Sequence, residues 1–121
     1  MTWPFKQRGR GKRPERGVMN KWEKEWAEHL ELLKAAGEIL WWSYECINIR
    51  LAKKAFYQPD FLVMDADGYL EVHEVKGHWE HDARLRIKLA AEKLPFRFLA
   101  ITKMPKKAGG GWKSEEIGNQ E

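Results

Sequence analysis

A chain of 121 residues, 43% hydrophobic and 33% charged, has the size of one compact domain and excludes two full ones. No apolar run reaches the roughly 20 residues of a membrane-spanning helix, and the opening MTWPFKQRGRGKRPERG has no apolar core for a secretory signal, so a cytoplasmic protein without membrane attachment is expected. The single cysteine, Cys46, excludes an intrachain disulfide and a cysteine-based zinc site, which leaves a packed core to hold the fold.

The net charge of +4 is unevenly placed. Lys6, Arg8, Arg10, Lys12, Arg13 and Arg16 face only Glu15 within residues 1–17, whereas acids and bases nearly balance over the rest. A Gly/Pro/Arg/Lys-rich arm of this kind buries too little apolar surface to offset its ordering entropy, so it reads as disordered, with a polyanion as its partner. Arg8, Arg10, Lys12 and Arg13 are its candidate nucleic-acid contacts; a merely solubilising extension is the alternative.

After Gly17, Asn20 has the character of an N-cap and Glu23 that of its capping-box partner. Trp22, Trp26, Leu30, Leu33 and Ala36 then follow helical spacing, which predicts a helix over about 20–36 with Gly37 as its stop. ILWWSYECINIRLA alternates and is rich in β-branched and aromatic residues, predicting a strand or bent pair of strands. Beyond the polar break Lys53-Lys54-Ala55, YQPDFLVM and YLEVHEVK read as two strands around the turn Asp65-Ala66-Asp67-Gly68, with Pro59 opening the first. An amphipathic helix is expected from His78 to about Lys93, ended by Pro95, then a buried strand FRFLAIT, a glycine-rich loop and a short last strand near Trp112. The predicted order is αβββαβ with one further strand, in an α/β domain over residues 18–113 between the arm and a flexible tail of 114–121.

The hairpin register follows from its turn. A three-residue loop with Gly68 in the left-handed position pairs Asp65 with Tyr69, Met64 with Leu70, Leu62 with Val72 and Asp60 with Glu74, whereas a two-residue loop breaks the apolar pairs. Two carboxylates thus stand opposed, with Cβ atoms about 4.5–5.5 Å apart, and Lys76 lies roughly 6.6 Å along the same face. Opposed like charges need neutralising, and hard oxygen ligands suit Mg²⁺ or Mn²⁺. Asp60, Glu74 and Lys76 also fit a surface salt-bridge ladder. Against that stand the apolar same-face neighbours Leu62, Met64, Leu70 and Val72, and Gly77 where the chain turns towards a helix.

Pro59-Asp60 followed by Glu74-Val75-Lys76 on a hairpin after a helix resembles the PD-(D/E)XK nuclease superfamily. YQPDFLV, EVHEVKGHWEHDAR and IKLAAEKLPFRFLAIT are similar to small phage and prophage proteins within it, related in pattern to Holliday-junction resolvases of the endonuclease I type. The resemblance implies a restriction-endonuclease-like αβββαβ core with a mixed central sheet flanked by helices. It also implies Asp60 and Glu74 as metal-binding acids, the Val75 carbonyl as a further ligand, and Lys76 as the residue that orients or activates water. Glu23 matches a first-helix glutamate directed into the same site; its other reading is the helix cap, and the two are expected to exclude one another. The implied activity is Mg²⁺-dependent endonucleolytic hydrolysis of DNA, with Mn²⁺ substituting, to give a 5′-phosphate and a 3′-hydroxyl. Branched or junction DNA in phage replication or recombination, inside a bacterial host, is the implied setting.

Arg84, Arg86 and Lys88 on the second helix are candidate phosphate contacts beside the site, as are Lys103, Lys106 and Lys107, an ordinary solvated face being the alternative. Trp79 is the tryptophan placed to stack on a base. His73, His78 and His81 with Asp82 do not make a zinc site, because alternation turns His73 away from Glu74, and GGGWKS lacks the spacing of a phosphate-binding loop. Cutting both arms of a junction calls for a homodimer, for which Trp41 or Trp42 is the candidate contact. No small-molecule cofactor is expected. The alternatives to a nuclease are a non-catalytic nucleic-acid-binding or assembly module on the same fold, and a subunit that cuts only within a larger complex.

Overall fold

The computed structural model describes residues 17–118; the arm contacts Arg8, Arg10, Lys12 and Arg13 lie outside them. Helix α1 spans Lys21–Ala35, and its start is the predicted capping box: the Asn20 side chain accepts from the Glu23 N–H at 2.9 Å, and Glu23 Oε1 accepts from the Asn20 N–H at 2.9 Å. Gly37, with φ of 79°, takes the left-handed position past its end. Strand β1 (Ile39–Tyr44) follows, then a separate hairpin of β2 (Ile49–Ala52) and β3 (Ala55–Tyr57).

YQPDFLVM was expected as one strand and is instead divided at Gln58–Asp60. Pro59 has no N–H for the ladder, and the Asp60 N–H donates to the Glu74 side chain, so pairing of β4 (Phe61–Asp65) starts only at Phe61. Its partner β5 (Leu70–Lys76) has the predicted register, with Leu62 opposite Val72 and Met64 opposite Leu70. The Asp65 N–H bonds the Tyr69 carbonyl at 2.8 Å and Gly68 has φ of 90°, the three-residue loop inferred from the apolar pattern.

Helix α2 covers His81–Lys93, three residues later than expected, because His78–Glu80 carry the chain off β5 and Trp79 turns in to pack on the core. Strands β6 (Arg97–Lys103) and β7 (Trp112–Ile117) complete the sheet. Their connection includes Gly109, Gly110 and Gly111, all at positive φ, a run that only glycine makes without strain. β7 pairs with β6 as far as Ile117, so residues 114–117 belong to the sheet rather than to a tail.

The molecule is therefore mixed α/β. Its five-stranded mixed sheet has the order β1-β4-β5-β6-β7, with β5 and β6 parallel across α2 and the other neighbours antiparallel. Strand alternation sends Phe61, Val63 and Val75 to a core with Trp26 and Leu30 of α1, and Leu62, Val72 and Phe98 to a second core with Ile87 and Ala90 of α2. The helices thus cover opposite faces. Among the described residues no helix is long and apolar enough to cross a membrane.

The α1 face carries a buried polar chain. Trp26 Nε1 donates to His73 Nδ1 at 3.0 Å, so the His73 proton sits on Nε2 and is donated to Glu71 Oε1 at 2.9 Å. Arg97 bonds Glu71 Oε2 at 3.1 Å and Glu116 at 3.2 Å, tying β5, β6 and β7 together. As expected, His73 faces away from Glu74 in a structural role. His73→Leu strands both the Trp26 indole N–H and a Glu71 oxygen, and should cost about 2–4 kcal/mol in urea unfolding; a loss below about 1 kcal/mol would show the chain to be dispensable.

Candidate active site

The site forms where β4 has not yet begun and β5 is ending. Asp60 is 7% exposed and Glu74 8%, so two carboxylates lie buried next to each other. Asp60 Oδ2 accepts the Val75 N–H at 2.8 Å, while Glu74 Oε1 accepts the Asp60 N–H at 3.1 Å and the Tyr57 hydroxyl at 2.7 Å. Each carboxylate is thereby held by the backbone of the other's strand. Lys76 Nζ lies 3.6 Å from Glu74 Oε2 and is the cation of the group.

Burial is the largest effect on the Asp60 carboxyl, followed by the nearby charges of Glu74 and Glu23; these push its pKa up to about 9 against the pull of the Val75 N–H and Lys76. Burial also raises Glu74, opposed by Lys76 and by its bonds to Tyr57 and the Asp60 N–H. Tyr57 is driven far up by burial and by Glu74, and remains a donor throughout the working pH range.

Glu23 reaches the same neighbourhood from the start of α1 and is 8% exposed. Of the two readings of this residue, the helix cap is the one the structure shows. Its Oε1 serves the helix cap and also accepts the Tyr44 hydroxyl at 2.8 Å, while its charge is felt by both Asp60 and Glu74. A carboxylate has lone pairs enough to close a cap and still face a second acidic group.

The hydrogen bonds inside the site use Asp60 Oδ2 and Glu74 Oε1, while Glu74 Oε2 is the oxygen nearest the Lys76 ammonium. No group of three or more His, Cys, Asp or Glu side chains with metal-ligand geometry occurs among the described residues. Two hard carboxylate oxygens still fit Mg²⁺ or Mn²⁺, which keep several waters and commonly take only one or two protein carboxylates. Val75, whose N–H holds Asp60, places its own carbonyl between Glu74 and Lys76 in the chain.

The three basic residues expected together on α2 separate. Arg86 exerts a minor electrostatic pull on Tyr57, whereas Arg84 is held by Glu115 at 2.9 Å and lines, with Lys88, a cleft against β7. Trp79 is packed on the α2 core under the Arg84 guanidinium, 5.5 Å from its ring centroid, and is not an open stacking surface. Trp42 packs on Phe61 and donates to Glu31, which leaves Trp41, 40% exposed on edge strand β1, as the open member of that pair.

Two tyrosines complete the site that sequence reading did not single out. Tyr44 ends β1 and Tyr57 ends β3, and nothing in their local spacing marks either as a partner of a distant carboxylate. The only available signal is that Tyr57 lies two residues before Pro59-Asp60, where the strand pattern breaks.

The raised Asp60 pKa sets the sign of a pH effect. The folded protein holds a proton that the unfolded chain releases near 3.8, so this contribution to stability is full below that value and is lost as pH climbs to about 9. Without divalent ions, melting temperature should fall across this window. Asp60→Asn, which keeps the acceptor for Val75, should flatten the slope and raise the melting temperature at pH 8 by roughly 5 °C. Mg²⁺ should stabilise the wild type at pH 8 but neither the wild type at pH 5 nor the variant at pH 8. A variant no more stable than wild type at pH 8 would contradict the raised pKa of the buried Asp60 carboxyl.

Comparison with family models, curated proteins and solved structures finds no match to this chain, so the site is read from its own geometry.

Proposed function

We propose that this protein is a metal-dependent DNA endonuclease of the PD-(D/E)XK type, acting on branched or junction DNA. The observation that carries this reading is the buried Asp60–Glu74 pair with Lys76 beside it: two acids placed where their charges cost most, at the open end of a rigid hairpin. The structural return, acceptors for the Val75 and Asp60 N–H groups and the Tyr57 hydroxyl, could be supplied by uncharged amide side chains, so it does not account for two acids at this place.

A divalent cation held by Asp60 and Glu74, with the Val75 carbonyl, would supply Lewis acidity and neutralise charge on the scissile phosphate. Tyr57 and the Asp60 N–H fix the Glu74 carboxylate, and the Val75 N–H fixes Asp60, so both present a set orientation before substrate arrives. Lys76 orients the attacking water and offers its ammonium to the phosphate. Water adds to phosphorus, the bond to the 3′ oxygen breaks, and the products are a 5′-phosphate and a 3′-hydroxyl. Arg86, whose charge reaches Tyr57, is the α2 candidate for a neighbouring phosphate. The choice of branched DNA rests on the sequence resemblance alone.

Purified protein in Mg²⁺ or Mn²⁺ should cut one or more of linear duplex, single-stranded, flap and four-way-junction DNA. Lys76→Ala should lower the rate by at least about 100-fold while binding DNA in EDTA as the wild type does. Binding without cutting by the wild type on every substrate would overturn the stand-alone nuclease and favour a binding module or a subunit of a larger complex.

A further inference from the structure

A cleft of about 410 Å³ opens beside the site, lined by Lys21, Trp22 and Glu25 of α1, Gly77, and Lys103 to Lys106 at the end of β6. Two of its members are chain neighbours of site residues: Trp22 precedes Glu23 and Gly77 follows Lys76. A Cβ added at Gly77 would stand 2.6 Å from Trp22 Nε1, so the absence of a side chain there lets the indole edge lie against the backbone next to Lys76. This is a close approach, not a left-handed turn. Trp22 is half-buried and pinned by its edge, with the exposed Lys21 ammonium 5.0 Å from its ring centroid.

The opposite wall is basic: Lys103 Nζ lies 3.3 Å from Glu25 Oε1, with the ring centroid of the core-packed Trp112 behind it at 4.9 Å, and Lys106 is exposed. Aromatic faces combined with lysines are the composition that takes up single-stranded nucleic acid: bases stack on the rings and ammonium groups track the phosphates. A cleft of this volume suits about one nucleotide, whereas a base pair in the interior of a duplex has no exposed face to offer Trp22.

We propose that this cleft receives an unpaired nucleotide adjoining the scissile phosphate, with its base stacked on Trp22 and its phosphates facing Lys103 and Lys106. The substrate class is therefore DNA with a single-stranded segment at the cut, a flap, end or opened branch. The identity of the polymer rests on the nuclease reading above. Lys21 is the movable group: it leaves the ring face for a phosphate when the base arrives. Glu25 keeps Lys103 aimed across the cleft.

The test measures binding in EDTA, where no cutting occurs, using a fluorescent short oligodeoxythymidine and a blunt duplex of equal length. Wild type should bind the single strand more tightly than the duplex. Trp22→Leu should weaken single-strand binding about tenfold or more and leave duplex binding unchanged, and Trp22→Phe should retain most of the affinity. Lys106→Gln, an exposed substitution with no bearing on folding, should reduce the salt slope for the single strand by about 0.7. Equal effects of Trp22→Leu on both ligands, or an unchanged salt slope in Lys106→Gln, would overturn the proposal. A single-strand preference lost in Trp22→Leu, in a protein that cuts nothing, would sustain the cleft while refuting the nuclease; cutting with no effect at Trp22 would do the reverse.

Discussion

The placement of Asp60 and Glu74 depends on one backbone event, the failure of β4 to pair before Phe61. Pro59 cannot donate to the ladder, and the Asp60 N–H is drawn to Glu74 Oε1 at 3.1 Å. The position that would have made the next rung of the hairpin is thereby converted into a side-chain cross-link. In the other direction the Val75 N–H is given to Asp60 Oδ2 at 2.8 Å. The two strands are joined here through their carboxylates, so the acids cannot be removed without also leaving backbone donors unmet. Electrostatic cost and structural need are built into the same four atoms.

The remaining elements bring groups to that point. The β2–β3 hairpin lies outside the main sheet, and its last residue, Tyr57, closes over Glu74 with a hydrogen bond. β1 ends in Tyr44, and α1 begins with the cap that holds Glu23, so their shared hydrogen bond joins a strand end to a helix start. Arg86 approaches from α2 on the other face. Elements from both sides of the sheet converge at one end of β5, and the cores behind them, around Phe61 and Phe98, hold that convergence rigid.

Some of this was legible in the sequence because local chemistry and tertiary packing agree. At Asp65-Ala66-Asp67-Gly68 the turn residues and the apolar pairs on either side demand the same register, and Asn20 with Glu23 forms the cap its spacing announces. Other features had no local signal. The turn between β2 and β3 places Lys54 at φ of 63° without a glycine or asparagine to mark it, so Ala55 reads as part of a polar break and Tyr57, the last residue of a separate three-residue strand, reads as the start of the next one. Trp22 lies on the helical stripe with Trp26, and spacing alone cannot distinguish a core tryptophan from one lying on a bare glycine at a cleft. The separation of Arg84 from Arg86 follows from their i,i+2 spacing on α2, but the partner that holds Arg84, Glu115, lies thirty-one residues away on a strand whose extent the glycine-rich loop obscured.

The dual service of Glu23 bears on how such a site maintains order without a bound cation. A helix cap normally takes a carboxylate to the surface, where solvent screens its charge; here the cap is buried and its charge adds to that of Asp60 and Glu74. The hydroxyl of Tyr44 and the N–H of Asn20 both bond Oε1, so the residue is oriented by interactions independent of the acids it faces. Its position is therefore set by helix formation, which local sequence favours, and not by attraction to a ligand. Burial of three acids near one another is tolerated because each is tied to a different backbone segment: Glu23 to the start of α1, Asp60 to β5, and Glu74 to the residue before β4. Burial, with repulsion added to it, then raises the Asp60 and Glu74 carboxyl pKa values instead of forcing the groups apart, and it is the fold, already committed at its turns and caps, that holds them together.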